Sequence, residues 1–484
     1  MQRRTPTLAL VREHPALSTG IGLVVLSIVL IKYANTRPGY DPYGWLVWGH
    51  QTLHLNLDLG GAPSWKPLPY VFTVPYALFG SAELWLWFVT SVAISLSGVV
   101  FAGRLAYRLT ATASGRRYAP IAAALFAGAG LLGIHDYMHY ILSAQSDPMI
   151  VAMCLAAIDC YMSKRYRLAF VLLVLGALGR PEVWPFLGLL ILWAWFREPS
   201  MRRLMVFGVV ATGFLWFGVP ILSGQSPFVA GNLALNSPRA LHQNQVSGTL
   251  TRFFGLHELI VQLLALLAIG IAAIRRERFT LIIGGCAAIW VIVEIGFALH
   301  GWPALPRYIF EPAAVMVVLA GVAVGKLLAA PERLTELPGS LSRAAARLPR
   351  IPAWAAIVVV TALSGALVPA AVSRIHDERK DLFHERLRTR QINRLGPLIA
   401  RLGGVSHVLY CGTPATSVAF QSIVAWHMRM NVGPVDYMPH MRKKHPKPIV
   451  FFQPALHGWA VRPSHTLLSR VPSCRGMRAH TRIR

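Results

Sequence analysis

Charged side chains are scarce in this sequence. They make up 14% of the residues, whereas a soluble domain typically carries about 25%. Hydrophobic residues make up 55%, and the mean hydropathy is +0.49. This balance excludes an ordinary soluble protein and indicates a polytopic membrane protein.

Acidic residues are the scarcer of the two charged classes. The chain has 20 Asp and Glu against 47 Lys and Arg, a formal charge of +27. Such a charge could favour nucleic acid, but the basic residues lie mainly between apolar runs and in the C-terminal tail. The positive-inside rule and contact with anionic lipids explain that placement. We therefore predict membrane lipids, and no nucleic acid, among the partners.

Cysteine is also rare, with five residues and no metal-type spacing. Cys154, Cys160 and Cys286 fall within apolar runs. Cys411 and Cys474 fall in the tail, where they would either pair in an oxidising exterior or remain free thiols. The apolar run at 16–33 has no clear small-residue cleavage site after it, so we predict an uncleaved first span rather than a signal peptide.

The apolar runs predict about 11 transmembrane helices. A helix needs about 20 apolar residues to cross the hydrocarbon core. Two shorter runs, 167–178 and 183–196, flank Gly179–Glu182 and predict a hairpin of short helices, whose charged turn lies below the outer surface. The segment 68–79 is too short to cross and predicts an interfacial helix. The longer candidates are 15–33, 82–103, 118–134, 148–163, 202–222, 257–274, 279–299, 309–328 and 352–372.

The distribution of charge predicts the orientation. With the basic N-terminus in the cytoplasm, each loop that alternates onto that side is basic, as the positive-inside rule requires. The opposite side receives loops that are poor in Lys and Arg. They are 34–68, 135–147, 179–182, 223–256 and 300–308. The first outer loop, 34–68, and the tail are thus predicted to be extracytoplasmic.

Two domains follow from this pattern, a transmembrane domain at 1–372 and a C-terminal soluble domain at 373–484. The tail has helical periodicity at 376–402 and two apolar segments, 405–410 and 448–453, that predict buried strands. We predict a small α/β domain with little order after Val471.

The first outer loop carries chemistry that a connection does not need, because most connections run only a few residues. Its charged and ionisable residues are Asp41, His50, His54, Asp58 and Lys66. Its prolines and Gly60-Gly61 predict irregular or broken-helical backbone. Two interpretations are open: the active site of a membrane enzyme, or an aromatic-rich interfacial loop, since Trp and Tyr collect at the headgroup level.

Other polar residues near the membrane fall on the same outer side, where each also has a simpler role. Charges at membrane depth are costly and usually face a cavity or a partner. Asp147 before Pro148 is a good helix N-cap, which is the role we predict for it. Glu182 could simply pair with Arg180, and Arg307 could be an interfacial anchor. The other members of this set are His135, Asp136, His139 and Tyr308.

Four motifs in order resemble those of GT-C type membrane glycosyltransferases, in particular the RgtA/B/C/D-like and glycosyltransferase family 39 group. Asp41 after the first span is followed by WKPLP at 65–69 and by Phe79-Gly80, like the family's acidic, Lys-Pro-Pro and Phe-Gly motifs. The segments 143–162, 178–186 and 305–313 are similar to three later patterns. The resemblance covers roughly residues 10–330. Pro42 after Asp41 and Leu68 in place of the second Pro depart from the pattern.

The resemblance implies an all-α polytopic membrane fold and transfer of a sugar from a polyprenyl-phosphate-linked donor to a glycan, lipid or protein acceptor outside the cytoplasmic membrane. Asp41 matches the catalytic position and would be the general base, with Asp136 as the second acidic residue. The cations available for the donor phosphate are Lys66, Arg180 and Arg307. The residues expected to bind substrate are Tyr40, Trp65, His135, His139, Glu182 and Tyr308.

A metal and other functions stay open at this point. His135 and His139 would share a face if their segment is helical. They could then hold a divalent cation or hydrogen-bond a sugar, and no cofactor is certain. Two other classes remain, a lipid or solute transporter and a non-catalytic envelope scaffold. Transporters tend to show internal repeats, and the sequence has no convincing repeat.

Overall fold

The computed structural model describes residues 14–61, 63–111, 118–235, 237, 239–333, 353–438, 448–455, 458–463 and 474. The predicted lack of order after Val471 lies almost wholly outside them. The helices are α1 Pro15–Ala34, α2 Tyr40–Leu53, α3 Pro67–Ala77, α4 Glu83–Ala111, α5 Tyr118–Leu132, α6 Tyr137–Leu142, α7 Asp147–Met162, α8 Tyr166–Gly179, α9 Trp184–Arg197, α10 Arg202–Gly213, α11 Val219–Leu222, α12 Val229–Leu235, α13 Gln245–Phe254, α14 Leu259–Arg275, α15 Arg278–Leu299, α16 Phe310–Arg333, α17 Ala353–Ala366, α18 Val368–Arg401, α19 Gly404–Cys411 and α20 Gln421–Met428. The strands are β1 Thr413–Ser417, β2 Asp436–Met438, β3 Ile449–Ala455 and β4 Gly458–Pro463.

Each apolar run predicted to span the membrane is helical. Within the described residues, six helices are long and apolar enough to cross a bilayer, and the pair α13 and α14, bent by 96°, would make a seventh. The predicted short hairpin is α8 and α9, each of 14 residues. At about 1.5 Å per residue each reaches only about 21 Å, against about 30 Å for the hydrocarbon core. The protein is therefore a multi-pass membrane protein that contains a pair of short helices.

The centre of the membrane domain is α16. Of the apolar window in this span, 94% is buried inside the protein, against 11% for α1. Glycines allow close neighbours, because a Cβ at Gly321 would lie 2.6 Å from the carbonyl oxygen of Ala123 on α5. Small residues at such crossings let membrane helices pack by close backbone approach. The helix that follows Arg307 is thus fixed rigidly in the core.

The first outer loop is more regular than its prolines suggest. α2 occupies 14 residues of it and α3 covers the predicted interfacial helix. Trp45, Trp48 and Trp65 are at most 1% exposed, and the Trp48 and Trp65 rings lie 5.0 Å apart. The aromatic side chains therefore form a packed base that holds α2 rather than an exposed interfacial belt.

The tail combines a helical arm with a small sheet. The strand order is β2-β1-β3-β4, in which β1 pairs in parallel with β2 and β3, and β4 is antiparallel to β3. The predicted helix at 376–402 and the predicted strand at 448–453 are confirmed by α18 and β3. The predicted strand at 405–410 is wrong, since it is α19; a short apolar run fits a buried strand or a buried helix equally well. Cys411 and Cys474 form a disulfide.

The helix α18 joins the tail to the first outer loop. Arg386 donates to the backbone carbonyls of Tyr33 and Ala34, at 2.9 and 2.8 Å. Arg388 donates to the carbonyl of Pro38 at 2.9 Å. The carbonyls at the end of a helix lack intrahelical partners, and here a later segment of the chain supplies them. The predicted domain boundary at 372 falls inside α18.

Candidate active site

Asp41 lies in the first turn of α2, where the helix dipole favours a negative charge. Its Oδ2 accepts a hydrogen bond from Nη1 of Arg307 at 3.3 Å, and the two side chains are each 17% exposed. Arg307 belongs to the 3-10 turn Pro306–Ile309, which leads into α16. The acidic motif of the first loop and the motif at 305–313 therefore meet, although they are far apart in sequence.

Asp147 is the buried anion at the centre of the cations. Its side chain is fully buried, and its Oδ1 pairs with Nζ of Lys66 at 3.5 Å and with Nη2 of Arg180. The predicted capping role is wrong, because Ser146 occupies the N-cap position and no side-chain cap is made there. Asp147 instead neutralises the buried Arg180 and the partly buried Lys66 and sets their positions.

Two arginines lie close to the ring of Tyr308. The guanidinium carbon of Arg180 is 4.0 Å from the ring centroid and that of Arg307 is 5.5 Å. Arg180 also pairs with Glu182 through Nη1 and Oε1 at 3.5 Å. Both residues of that pair are at most 3% exposed, so the charged turn is buried within the protein rather than open to bulk solvent. Its depth below the outer surface stays a prediction. Such cation–π contacts hold each guanidinium in a fixed plane.

Both arginines retain unused donors. Nε of Arg180 and Nε of Arg307 are buried and have no hydrogen-bond partner among the residues that the structure describes. A buried N–H without a partner is costly, and a guanidinium matches the geometry of phosphate oxygens. With Lys66, these groups form a cationic site beside Asp41 that is suited to an anionic oxygen ligand.

The local charges also act on Lys66. Burial lowers the pKa of Lys66; the carboxylate of Asp147 opposes this, and the charges of Arg180 and Arg307 add to it. An anion bound between these cations would compensate the lost hydration. A negatively charged ligand would therefore stabilise the protonated form of Lys66.

The predicted cluster of His135, Asp136 and His139 divides into two. His135 and Asp136 precede α6 and bond to each other at 2.9 Å, with more than half of each side chain exposed. His139 is on α6, and its Nδ1 bonds to Oδ2 of Asp381 on α18 at 2.8 Å. The condition for a shared face is not met, because the helix begins only at Tyr137.

His139 has a second possible role. Ligand atoms of His139, Asp381 and Glu385 lie within 4.8 Å of one another, and such a donor set suits a divalent cation. Glu385, however, is already paired with Arg388 at 2.6 Å. The contacts therefore favour a junction between α6 and the tail over a metal centre.

Tyr40 and Trp65 make structural contacts. The hydroxyl of Tyr40 donates to Oε1 of Gln421 on α20 at 3.1 Å. The indole N–H of Trp65 donates to the carbonyl of Leu215 at 3.0 Å. Tyr40 thus lies beside Asp41 and contacts the tail, while Trp65 orients the backbone that carries Lys66.

Sequence reasoning missed two buried acids near Arg180. Glu294 and Glu311 are 1% and 4% exposed. The signal for Glu294 was present, because a single carboxylate in the apolar run 279–299 is by default a functional residue.

An apolar cavity of about 340 Å³ lies between α7, α8, α9, α15 and α16. Its walls include Phe186, Cys286 and Trp290. Glu311 and Val183 also line it, and Val183 is three residues from Arg180 in the turn between α8 and α9. The cavity therefore reaches the turn that carries one of the site's cations.

No protein-family model matches the sequence, and no curated protein matches it. The structure is similar to ArnT from Cupriavidus metallidurans bound to undecaprenyl phosphate, with 17% identity and a TM-score of 0.51, covering 90% of this chain and 93% of that chain. The same protein in the apo state gives 17% identity and a TM-score of 0.48, covering 91% and 93%. The first likeness confirms the predicted fold class, a GT-C type polytopic membrane fold with a small C-terminal α/β domain.

Proposed function

We propose that the chain is an integral membrane glycosyltransferase. It moves a sugar from a polyprenyl-phosphate-linked donor to a hydroxyl of an envelope glycan, lipid or protein on the outer face of the cytoplasmic membrane. The observation that carries the proposal is the placement of Asp41 against Arg307, beside a site formed by Lys66, Arg180 and Asp147. That arrangement joins a proton acceptor to a phosphate-binding group.

The cations bind the donor phosphate and stabilise it as it leaves. Lys66 offers a point charge, and Arg180 and Arg307 offer planar donors whose Nε atoms have no partner among the described residues. Charge that develops on the departing phosphate is stabilised by donors already held in place. Asp147 and Tyr308 keep those donors in position.

Asp41 acts as the general base. The acceptor oxygen forms a bond to the anomeric carbon of the sugar as the bond from that carbon to the phosphate oxygen breaks. The phosphate leaves with the electron pair, and the proton of the acceptor hydroxyl passes to a carboxylate oxygen of Asp41. The donor phosphate draws Arg307 toward itself, which frees that oxygen.

The outer orientation rests on two observations. The basic loops in the sequence alternate onto one predicted side of the membrane, as the positive-inside rule requires of the cytoplasmic face. The disulfide between Cys411 and Cys474 is of a kind that persists mainly in oxidising compartments. Both support a tail and a first loop outside the cytoplasm.

Transfer by the purified protein tests the proposal. The full chain in liposomes is supplied with a labelled polyprenyl-phospho-sugar and a crude envelope acceptor fraction. We expect label to move from lipid to acceptor, and a deletion strain to accumulate one such donor and to carry a shortened glycan. Transport of the labelled lipid across the bilayer without transfer would instead support a transporter.

Donor binding should depend on Lys66 and on pH. Lys66→Ala removes a charged contact to phosphate and should weaken donor binding about tenfold or more. Because the pKa of Lys66 is lowered, the wild-type protein should lose donor affinity on the alkaline side at a pH below the usual lysine value of about 10.4. Titration of a fluorescent donor analogue against pH measures both effects.

The control for this prediction is Lys380→Ala, at an exposed lysine on α18. It removes the same charge at an exposed position that takes no part in the contacts of Lys66, and it should leave the titration unchanged. Lys66→Arg should retain affinity at alkaline pH, since arginine does not lose its proton there. Equal alkaline loss in the Arg and wild-type proteins would exclude Lys66 as the titrating group.

The apolar cavity is placed to take the prenyl chain. Cys286→Phe adds a ring to its wall on α15, and overpacking of this kind typically costs about 1–3 kcal/mol. We expect the KM for a full-length polyprenyl donor to rise about tenfold, while a donor with two isoprene units is used as before. Steady-state transfer with the two donors measures the difference.

Ile292→Phe is the matched control on the same helix. Its side chain is 65% exposed and is not part of the cavity wall. It should leave both KM values unchanged. Equal effects of Cys286→Phe on long and short donors would show that the chain does not bind in this cavity.

A further inference from the structure

A second cavity lies between the membrane domain and the tail. Its volume is about 330 Å³, within the range of small-molecule sites, about 300–1,000 Å³. It is bounded by α2, by the start of α4 and by α18 and α20. Its lining includes Tyr43, Glu83, Trp85, Trp426, His427 and Arg37. Among the described residues that line it, none is Lys66, Arg180 or Arg307, the cations of the first site.

Two buried polar atoms in its wall lack partners. Glu83 is 1% exposed, and its Oε1 has no hydrogen-bond partner within the described ranges. The same holds for the buried Nε2 of His427 on α20. Leaving either group unpaired is costly, and native proteins pair nearly all such atoms. Two of them in one cavity indicate that a ligand with several hydrogen-bonding groups completes it.

His427 is neutral under ordinary conditions. Burial lowers the pKa of His427 to about 4, and the positive charge of Arg37 acts in the same direction. A neutral imidazole carries one donor and one acceptor nitrogen. The carboxyl group of Glu83 accepts hydrogen bonds. The pair is therefore suited to hydroxyl groups, which both donate and accept.

The remaining walls are aromatic. Trp85, Tyr43 and Trp426 line the cavity, and the guanidinium of Arg37 lies 4.7 Å from the centroid of the Trp85 ring. Gly80 also lines it with a φ of +56°, which a residue with a Cβ would adopt only with strain. Gly80 of the Phe79-Gly80 motif thus lies at one edge of this cavity.

The chemistry of the walls separates the candidate ligands. Arg37 and Arg429 alone would suit a phosphate, but a phosphate has no apolar face to place against the aromatic rings of the wall. A saccharide offers hydroxyls to Glu83 and His427 and apolar C–H faces to the tryptophans. A ligand with both hydroxyl groups and apolar C–H faces can contact the polar and the aromatic groups of the wall.

We infer that this cavity binds an uncharged sugar residue of the acceptor glycan. The two sites share elements, since Asp41 and Tyr43 are both on α2 and the hydroxyl of Tyr40 bonds to Gln421 on α20. The six residue steps along α20 from Gln421 to His427 span about 9 Å, a distance that a short oligosaccharide covers. The acceptor role rests on the proposed function, whereas sugar binding does not depend on transfer.

Binding is measured first, without donor. The full chain in nanodiscs is titrated with methyl glycosides (gluco-, manno- and galactopyranosides and arabinofuranosides) by saturation-transfer NMR, and with inorganic phosphate as a competitor. We expect saturable binding of at least one glycoside, with no competition from phosphate. Glu83→Gln and His427→Gln should each weaken it about tenfold, and Trp426→Phe less than Trp426→Ala. Tyr410→Ala, at a 71% exposed aromatic of the tail, should have no effect.

Transfer assays then assign the role. Glu83→Gln should raise the KM for a trisaccharide acceptor about tenfold while the donor KM and kcat stay unchanged. Absence of saturable binding for every glycoside, or equal binding by the wild-type protein and all cavity variants, overturns the inference even if the protein transfers sugar. Competition by phosphate overturns it in favour of an anionic headgroup. Glycoside binding by a protein that never transfers sugar upholds the sugar site and refutes the proposed function.

Discussion

Replacing Asp41 by asparagine should lower sugar transfer by about 10²–10⁴, the usual contribution of a general base. The amide keeps the size of the carboxylate but cannot take a proton at neutral pH. Donor affinity should not fall, because Lys66 and Arg180 still hold the phosphate and loss of the ion pair with Asp41 leaves Arg307 free to bind it. Single-turnover transfer from a labelled polyprenyl-phospho-sugar separates binding from the chemical step.

The matched control is Asp377→Asn, at an exposed carboxylate on α18. It should retain full transfer. If the first loop were only an interfacial element, Asp41→Asn would be silent, or it would lower the yield of protein without changing activity per molecule. More than about a tenth of wild-type turnover in the Asp41 variant would remove Asp41 as the base.

Removal of Asp147 should be the most destabilising single change in the site. Its side chain is fully buried and neutralises both Lys66 and Arg180. Asp147→Ala leaves both cations without that partner, and breaking a buried pair costs about 3–5 kcal/mol. Equilibrium unfolding in mixed micelles, followed by far-UV circular dichroism, measures the loss of unfolding free energy.

The same helix provides a control at its other end. Asp159 pairs with Arg104 and Arg108, whose side chains are 56% and 27% exposed. Solvent can replace that contact, so Asp159→Ala should cost only about 1 kcal/mol. If the two substitutions lowered the free energy of unfolding equally, burial of the cations would not determine the size of the loss.

The helices of this protein follow from its sequence, while the partners in its site do not. Apolar runs long enough to cross a membrane have few alternatives, because every backbone polar group in lipid must be paired within the protein. Asp147 shows the limit. The rule for helix N-caps predicts that Asp147 caps α7, but its partners Arg180 and Lys66 are 33 and 81 residues away in the sequence. The sequence around Asp147 contains no sign of these two contacts.

Two other differences have the same origin. The four-residue spacing of His135 and His139 predicts that they share one helix face. In the structure α6 begins between them, and His139 hydrogen-bonds to Asp381, 242 residues later. The segment 405–410 was read as a strand from its apolar character, yet it is a helix that packs in the tail. In each case the local sequence is compatible with two structures, and tertiary contacts determine which one forms.

The contacts of α18 limit how this protein can be rearranged. Arg386 donates hydrogen bonds to the last carbonyls of the first transmembrane helix. Arg388 donates one to the carbonyl of Pro38, three residues before Asp41. A chimaera that exchanged the tail at residue 372 would discard both arginines and leave three backbone carbonyls at the entrance to the first loop without their donors. The tail is therefore not an interchangeable module. A graft that preserves the first loop must carry α18 with the membrane domain and join the new tail beyond Arg401.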